Sequence, residues 1–125
     1  MTYDSVIVGS HVMTPRGMEE KNIVIDEEKI VLLTTDIPSC DRKINASGLV
    51  CIPGVIDTHV HYGVYSPIDN AAKTESHAAA IGGVTTMMRM LRLGSSFESS
   101  LTKQLDASST SHYIDYTIHA SDFNE

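Results

Sequence analysis

Residues 53–61 read Pro53-Gly54-Val55-Ile56-Asp57-Thr58-His59-Val60-His61, and the architecture follows from this segment. β-Branched residues after a Pro-Gly turn signal predict a strand that begins at Val55. Two later runs have the same character: Val84 to Met88, which follows two glycines, and Tyr113 to His119. The three runs begin 29 residues apart, at positions 55, 84 and 113, which indicates a repeating structural unit.

Helical segments fill the intervals between these strands. Ser66 or Asp69 can cap the first helix, and Gly82 stands where a C-terminal glycine cap belongs. Residues 95–98, Ser-Ser-Phe-Glu, have the spacing of a capping box that begins the second helix. Connections of about 22 residues are too long for hairpins and long enough for crossovers. The strands are therefore predicted to be parallel, in repeated βα units.

A βα unit of 29 residues suggests the size of the whole domain. Eight such units need about 230 residues, close to the usual (β/α)8 barrel, and about two and a half fit between Val55 and Glu125. The third predicted strand has no helix after it to cover it. Residues 51–125 are therefore predicted to be the first βα units of a TIM barrel, truncated, with a small open α/β sheet as the alternative.

Residues 1–50 follow a different pattern, in which short β-rich runs alternate with turn signals. The predicted strands are 5–8, 11–14, 22–25 and 29–33, with Gly9-Ser10 as the first turn. This pattern indicates hairpins in a small antiparallel sheet. Roughly fifty residues give a marginal core, so the apolar face of such a sheet needs a second layer. We therefore expect residues 1–50 to form part of a small β-sandwich domain.

The pair His59 and His61 carries the most specific chemistry. Alternate residues of a strand face the same side, so both imidazoles project together from backbone positions about 6–7 Å apart. They can bind one divalent ion at the carboxyl end of the strand, where barrel active sites lie. Ile56 and Val60, on the opposite face, should pack under the helices. Two ligands are one or two short of a zinc site, so an incidental histidine pair is an equal alternative.

The third predicted strand adds a polar face. Asp115, Thr117 and His119 share one side, which in a barrel would look into the lumen, beside the histidine strand or one strand removed. His119 could orient a metal ligand or face the substrate. A hydrogen-bonded structural histidine is the more frequent case, and we favour it.

Other polar side chains have weaker signals. Arg89 and Arg92 follow the second predicted strand and could reach an anionic group of a substrate. A solvated loop is the interpretation that we favour for both. His11, His77 and His112 are predicted to be surface residues, in a turn region, on a helix face and before the third strand.

The order of these segments resembles the start of a cyclic amidohydrolase. A small β-domain precedes Ala46-Ser47-Gly48-Leu49-Val50, then residues 53–61, then Gly82-Gly83-Val84-Thr85-Thr86. The resemblance is to the hydantoinase or dihydropyrimidinase type, with dihydroorotase and allantoinase as close relatives. Residues 115–119 are similar to the third-strand segment of dihydropyrimidinase-type members. In contrast, residues 62–67 depart from the pattern that is common in dihydroorotases and allantoinases, and Met90-Leu91-Arg92 departs from that of many dihydroorotases. Both departures argue against a dihydroorotate-type carboxylate pocket.

The resemblance implies metal-dependent hydrolysis of a cyclic amide C–N bond, such as ring opening of a hydantoin or a dihydropyrimidine, with a dihydroorotase- or allantoinase-type enzyme as the alternative within the family. His59 and His61 would bind the more buried of two divalent ions, usually zinc, and a bridging hydroxide would attack the ring carbonyl. The family's bridging carboxylated lysine, further histidine ligands and catalytic aspartate come from later strands, so no catalytic or substrate-binding residue is assigned here. We therefore expect the chain alone to be inactive. A homo-oligomer is the expected assembly.

Composition excludes several other classes. Nine Lys and Arg against sixteen Asp and Glu give a net charge of −7, with no basic cluster, so nucleic acid is not an expected partner. No apolar run is long enough to cross a bilayer, and the first residues do not resemble a secretory signal. Cys40 and Cys51 form no C-x-x-C pair and are typical of reduced thiols. A cytoplasmic location without membrane attachment is therefore expected.

Two alternatives from other functional classes stay open at this point. One is a non-catalytic remnant or interaction protein that keeps the fold; the intact H-x-H motif argues mildly against it. The other is a self-contained small metal-binding domain, in which His119 or Asp115 completes a site with His59 and His61.

Overall fold

The computed structural model describes residues 2–93 and 97–122. Its contacts divide the chain into two compact units, Met1–Pro53 (unit 1) and Gly54–Glu125 (unit 2). Each unit has a sheet of its own. No helix in the described ranges is long and apolar enough to cross a membrane.

Unit 1 is a sheet of five strands. They are β1 (Tyr3–Thr14), β2 (Gly17–Asp26), β3 (Lys29–Thr34), β4 (Cys40–Asn45) and β5 (Val50–Cys51). The spatial order is β3-β2-β1-β4, and β5 also pairs with β1. β2 is antiparallel to β1 and β3, whereas β4 and β5 run parallel to β1. The expectation of an antiparallel sheet is wrong for these last two strands, because the chain after β3 crosses back to the end at which β1 begins.

The two short strands predicted on either side of Gly9 are one strand, β1, so the predicted turn there is wrong. The pairing of β1 with β2 shifts register at this point, and Gly9 has a φ of 74°. Its N–H leaves the ladder and donates to the Oδ1 of Asn22 at 2.9 Å. A glycine that signals a turn in the sequence therefore forms a β-bulge, which needs the same left-handed backbone.

Unit 1 buries a small core and leaves one strand exposed. Val6 and Val24 are fully buried, whereas Ile30 of β3 is 67% exposed and its neighbours Leu32 and Leu33 are also exposed. An apolar strand open to solvent lacks the second layer that its composition demands. The assignment of residues 1–50 to a β-sandwich stays a prediction.

Unit 2 alternates strands and helices. Its elements are β6 (Val55–Val60), α1 (Ile68–Ile81), β7 (Val84–Leu93), α2 (Phe97–Ser108) and β8 (Asp115–Asp122). The sheet order is β6-β7-β8 and both pairs are parallel, which confirms the predicted βα units. β8 begins at residue 115 rather than at 113. The closure of such strands into a TIM barrel, and its truncation, stay predictions.

Helix α1 begins without a side-chain cap. Pro67 is its N-cap residue, with φ −52° and ψ 139°. Neither Ser66 nor Asp69 is therefore the predicted cap, although Asp69 lies in the first turn, where the helix dipole favours a negative charge. Gly82 ends the helix as predicted: its N–H donates to the carbonyl of Ala78, and the N–H of Gly83 donates to the carbonyl of Ala80. The predicted capping box at residues 95–98 lies partly outside the described residues.

The core of unit 2 includes one face of β7 and part of α1. Met87, which is 1% exposed, packs with Tyr62 and with two alanines of α1. Val60 packs against this cluster, as predicted for the face of β6 opposite the histidines. Ile56 is 61% exposed, so its predicted place under the helices is wrong. The pairing of β6 with β7 shifts register beside Ile56, which interrupts the simple alternation that the prediction assumed.

Candidate metal centre and the network beneath it

Two imidazoles meet at the carboxyl end of β6. The Nε2 atoms of His59 and His61 are 3.1 Å apart. Their ring centroids are 5.0 Å apart and the ring planes cross at 66°. Both side chains are exposed. The structure thus brings together the two residues that the H-x-H spacing singled out.

The separation of these nitrogens fits two ligands of one tetrahedral ion. Zn–N bonds of about 2.0–2.1 Å place two nitrogens about 3.3 Å apart at the tetrahedral angle. A direct hydrogen bond between the two rings accounts for 3.1 Å equally well. Within residues 2–93 and 97–122, no group of three His, Cys, Asp or Glu could hold a metal ion. The described chain therefore gives no support to a self-contained site completed by His119 or Asp115.

Asp57 fixes the backbone of the first histidine. Its Oδ1 accepts the N–H of His59 at 3.0 Å. The pairing of β6 with β7 shifts register between Asp57 and Val60, so the strand is irregular at this point. A carboxylate that bonds the backbone two residues further along stabilises such a local bend.

Arg89 lies in the core and not in a solvated loop. It belongs to β7 and is 3% exposed. Its Nε–H donates to the carbonyl of Tyr62 at 3.1 Å, and its Nη1 donates to the Oε1 of Gln104 at 2.8 Å. The guanidinium carbon lies 5.0 Å from the centroid of the Tyr62 ring, and burial lowers the pKa of Arg89. The expectation of a solvated loop is therefore wrong for Arg89. Contact with an anionic group of a substrate stays a prediction, and Arg89 is among the residues that line the cleft beside His61.

The sequence contains a signal for the buried position of Arg89. The prediction ended the second strand at Met88, whereas β7 continues to Leu93. Met87, Arg89 and Leu91 are all buried, which is the alternation of a strand with one face against helices. Extending the strand would therefore have placed Arg89 on the covered face. The side chain of Arg92 lies outside the described residues.

His112 is half-buried, so its assignment to the surface is wrong. Its Nδ1 lies 3.0 Å from the carbonyl of Ser108, and because a carbonyl only accepts, Nδ1 carries the hydrogen. Nε2 then accepts the O–H of Tyr62 at 2.6 Å, and the ring stacks on Tyr116 at 3.8 Å. Desolvation lowers the pKa of His112, and desolvation raises the pKa of Tyr62 to about 12. Both groups are therefore neutral near pH 7.

The polar residues of β8 share one face, as predicted, and that face is exposed. Its predicted place in a barrel lumen stays a prediction. Asp115, Thr117 and His119 alternate with residues that are less exposed. β8 is one strand removed from β6, with β7 between them. His11 and His77 are exposed, as predicted, although His11 lies within β1 rather than in a turn.

An open cleft of about 320 Å³ adjoins His61 of the pair. Its lining includes His61, Gly63, Val64 and Met90. Gly63 has a φ of 77°, so the chain turns immediately after the pair, and a Cβ at this position would come 2.7 Å from the Cδ1 of Ile68. The positive φ therefore favours glycine at this turn, whereas the close atom of Ile68 is the flexible end of a side chain that can move aside.

The chain is similar in sequence to proteins named allantoinase and L-hydantoinase. The chain is 35% identical over 94 residues to an allantoinase of Bacillus licheniformis, a match that covers 72% of this chain and 21% of that protein. It is 29% identical over 97 residues to an L-hydantoinase of Paenarthrobacter aurescens, covering 70% and 20%. No family model matches the chain.

Solved structures of hydantoinases have the same fold over most of this chain. A D-hydantoinase superposes with a TM-score of 0.82 and 27% identity, covering 94% of this chain and 27% of the other. The L-hydantoinase (dihydropyrimidinase) from Arthrobacter aurescens superposes with a TM-score of 0.80 and 23% identity, covering 95% and 28%. By sequence and by fold, this chain is therefore a relative of the allantoinases and hydantoinases, and it spans about a fifth of the length of the curated relatives that it matches.

Proposed function

We propose that this chain is part of a metal-dependent hydrolase that opens a cyclic amide C–N bond, in which His59 and His61 hold a divalent ion such as zinc. The observation that carries the proposal is the 3.1 Å separation of the two Nε2 atoms at the end of a parallel strand. Active sites of (β/α)8 enzymes lie at that end of the strands. Similarity to proteins named allantoinase and hydantoinase supports a cyclic amide as the substrate class.

Each residue has a limited task in this proposal. His59 and His61 act as neutral imidazoles that bind through Nε2, and Asp57 fixes the backbone of His59. The cleft beside His61 gives a small ring access to the pair. A bound ion would supply Lewis acidity to the amide carbonyl and lower the pKa of a water molecule. Further metal ligands and the catalytic acid or base would come from residues outside this chain.

The first test is zinc binding to the purified 125-residue chain. Equilibrium dialysis should find zinc retained by the natural sequence and lost in the double variant His59→Asn/His61→Asn. The matched control is His11→Asn, which removes an equally exposed imidazole from unit 1 and should bind zinc like the natural chain. Equal retention by all three proteins would mean that zinc binds elsewhere and would refute the assignment.

The second test is turnover. With zinc and bicarbonate present, the chain should open neither hydantoin nor dihydrouracil nor allantoin, because two ligands leave the ion incompletely held. Measurable ring opening that disappears in His61→Asn would contradict the proposed inactivity of the chain alone. A chain that binds no zinc and opens no ring would favour the non-catalytic interaction protein instead.

A further inference from the structure

The backbones of the two histidines are held in place by different parts of the structure. β6 ends at Val60, and the last pair in its register with β7 joins Val60 to Arg89. His59 therefore lies inside the strand, whereas His61 lies one residue beyond it. Because the ladder ends at Val60 and His61 is exposed, the position of His61 depends on the contacts that the next residues of the chain make.

The side chain of Arg89 supplies these contacts where the ladder stops. Its Nε–H donates to the carbonyl of Tyr62, the residue directly after His61, at 3.1 Å. The same guanidinium lies over the Tyr62 ring, 5.0 Å from its centroid. One rigid, planar group thus holds both the backbone and the side chain of residue 62.

Helix α2 holds the guanidinium in turn. Gln104 accepts from Nη1 at 2.8 Å, and Arg89 as a whole is 3% exposed. The far end of the Tyr62 ring is fixed independently, because its O–H donates to His112 at 2.6 Å. The segment that carries His61 is therefore anchored to β7 and to α2 by buried side chains.

We propose that Arg89 is a positioning residue for the metal centre: it holds the segment after β6 so that the Nε2 of His61 stays within about 3 Å of the Nε2 of His59. The inference rests on the proposed metal-binding function of the pair. Groups that orient a metal ligand without touching the metal typically change its affinity by 10–100-fold when they are replaced. Arg89 differs from most such groups because it acts through the backbone next to the ligand.

The test is a zinc titration of the full chain, in which the NMR signals of the individual imidazole rings report the binding. Arg89→Lys keeps the positive charge but removes the Nε donor and the guanidinium group that lies over the Tyr62 ring. It should weaken zinc binding at the pair about tenfold, and the loss should be largest in the response of the His61 ring. Ser76→Ala is the matched control, because this buried serine accepts the N–H of Tyr113 and supports unit 2 without contacting Arg89.

The outcomes separate the inference from the function on which it rests. Natural zinc affinity in a folded Arg89→Lys variant overturns the positioning role alone, as does an equal loss in Ser76→Ala. Absence of any zinc response at His59 and His61 in the natural chain overturns the metal site, and this inference with it. If Arg89→Lys does not fold, Gln104→Met removes only the acceptor of Nη1 from a partly exposed helix face, and a weaker zinc affinity is expected there too.

Discussion

Replacing Met87 by alanine tests the orientation of β7, on which the placement of the site depends. Met87 is 1% exposed and packs against Tyr62 and two alanines of α1. Truncation of a buried methionine typically costs 2–5 kcal/mol, partly through the cavity that remains. The alanines of α1 have no long side chains that could move into the space, so we expect a loss of about 3 kcal/mol in the free energy of unfolding.

Met88→Ala is the matched control, because it makes the same chemical change one residue further along the same strand. Met88 is partly exposed and belongs to the opposite face, with Thr117 as its register partner in β8. Its truncation should cost less than about 1 kcal/mol. Urea titrations followed by near-UV circular dichroism suit the comparison, because unit 2 contains four of the five tyrosines of the chain.

Equal losses in the two variants would refute the face assignment of β7. Arg89 and Leu91, which lie on the same face of β7 as Met87, would then not be covered by helices. Arg89 could therefore not lie beneath the segment of His61. A large loss confined to Met87→Ala instead leaves the other face of the sheet, with His119, as the uncovered one.

Two further changes test local features. Burial disfavours the charged form of His112 and so lowers its pKa in the folded chain. As the pH falls, the unfolded chain therefore takes up this proton before the folded chain does. The stabilising contribution of His112 should be full above its ordinary pKa of about 6.5 and should decrease as the pH falls toward its pKa in the folded chain. Thermal unfolding at pH 7.5 and pH 5.0 should therefore differ less in His112→Gln than in the natural chain, and an unchanged difference would assign the effect to other groups. Glu27 and Glu28 have φ values of 48° and 64° in the turn between β2 and β3, so replacing them by Asn-Gly should stabilise unit 1 by about 1 kcal/mol, and a lower midpoint of urea unfolding would contradict this.

The parallel architecture of unit 2 could be predicted because it depends on lengths and on local composition. Strands that begin at 55 and 84, separated by a helical segment and by glycine, leave few alternatives to a crossover. The bulge at Gly9 could not be predicted in the same way, because a left-handed glycine serves a turn and a bulge equally well. Only the pairing of both flanking segments with β2 distinguishes them.

The buried polar network could not be predicted from the sequence for a different reason. An arginine and a histidine usually lie at the surface, and their burial here depends on partners that are distant in sequence. His112 contacts Tyr62, fifty residues away, and Arg89 contacts Gln104 on α2. Such partners are known only once the order of the sheet and the position of α2 are known.

The H-x-H spacing determines the side of the strand but not the distance between the two ring nitrogens. Backbone positions two apart in a strand are separated by about 6–7 Å, and free rotation about χ1 and χ2 would let the imidazoles point apart. A contact between the rings sets the observed 3.1 Å between the Nε2 atoms, and that contact can persist only while the two backbone positions keep their separation. Asp57 fixes the backbone before His59, and Arg89 fixes it after His61. The same three-residue motif on a strand without such anchors would present two histidines with no defined separation, and it should bind metal more weakly.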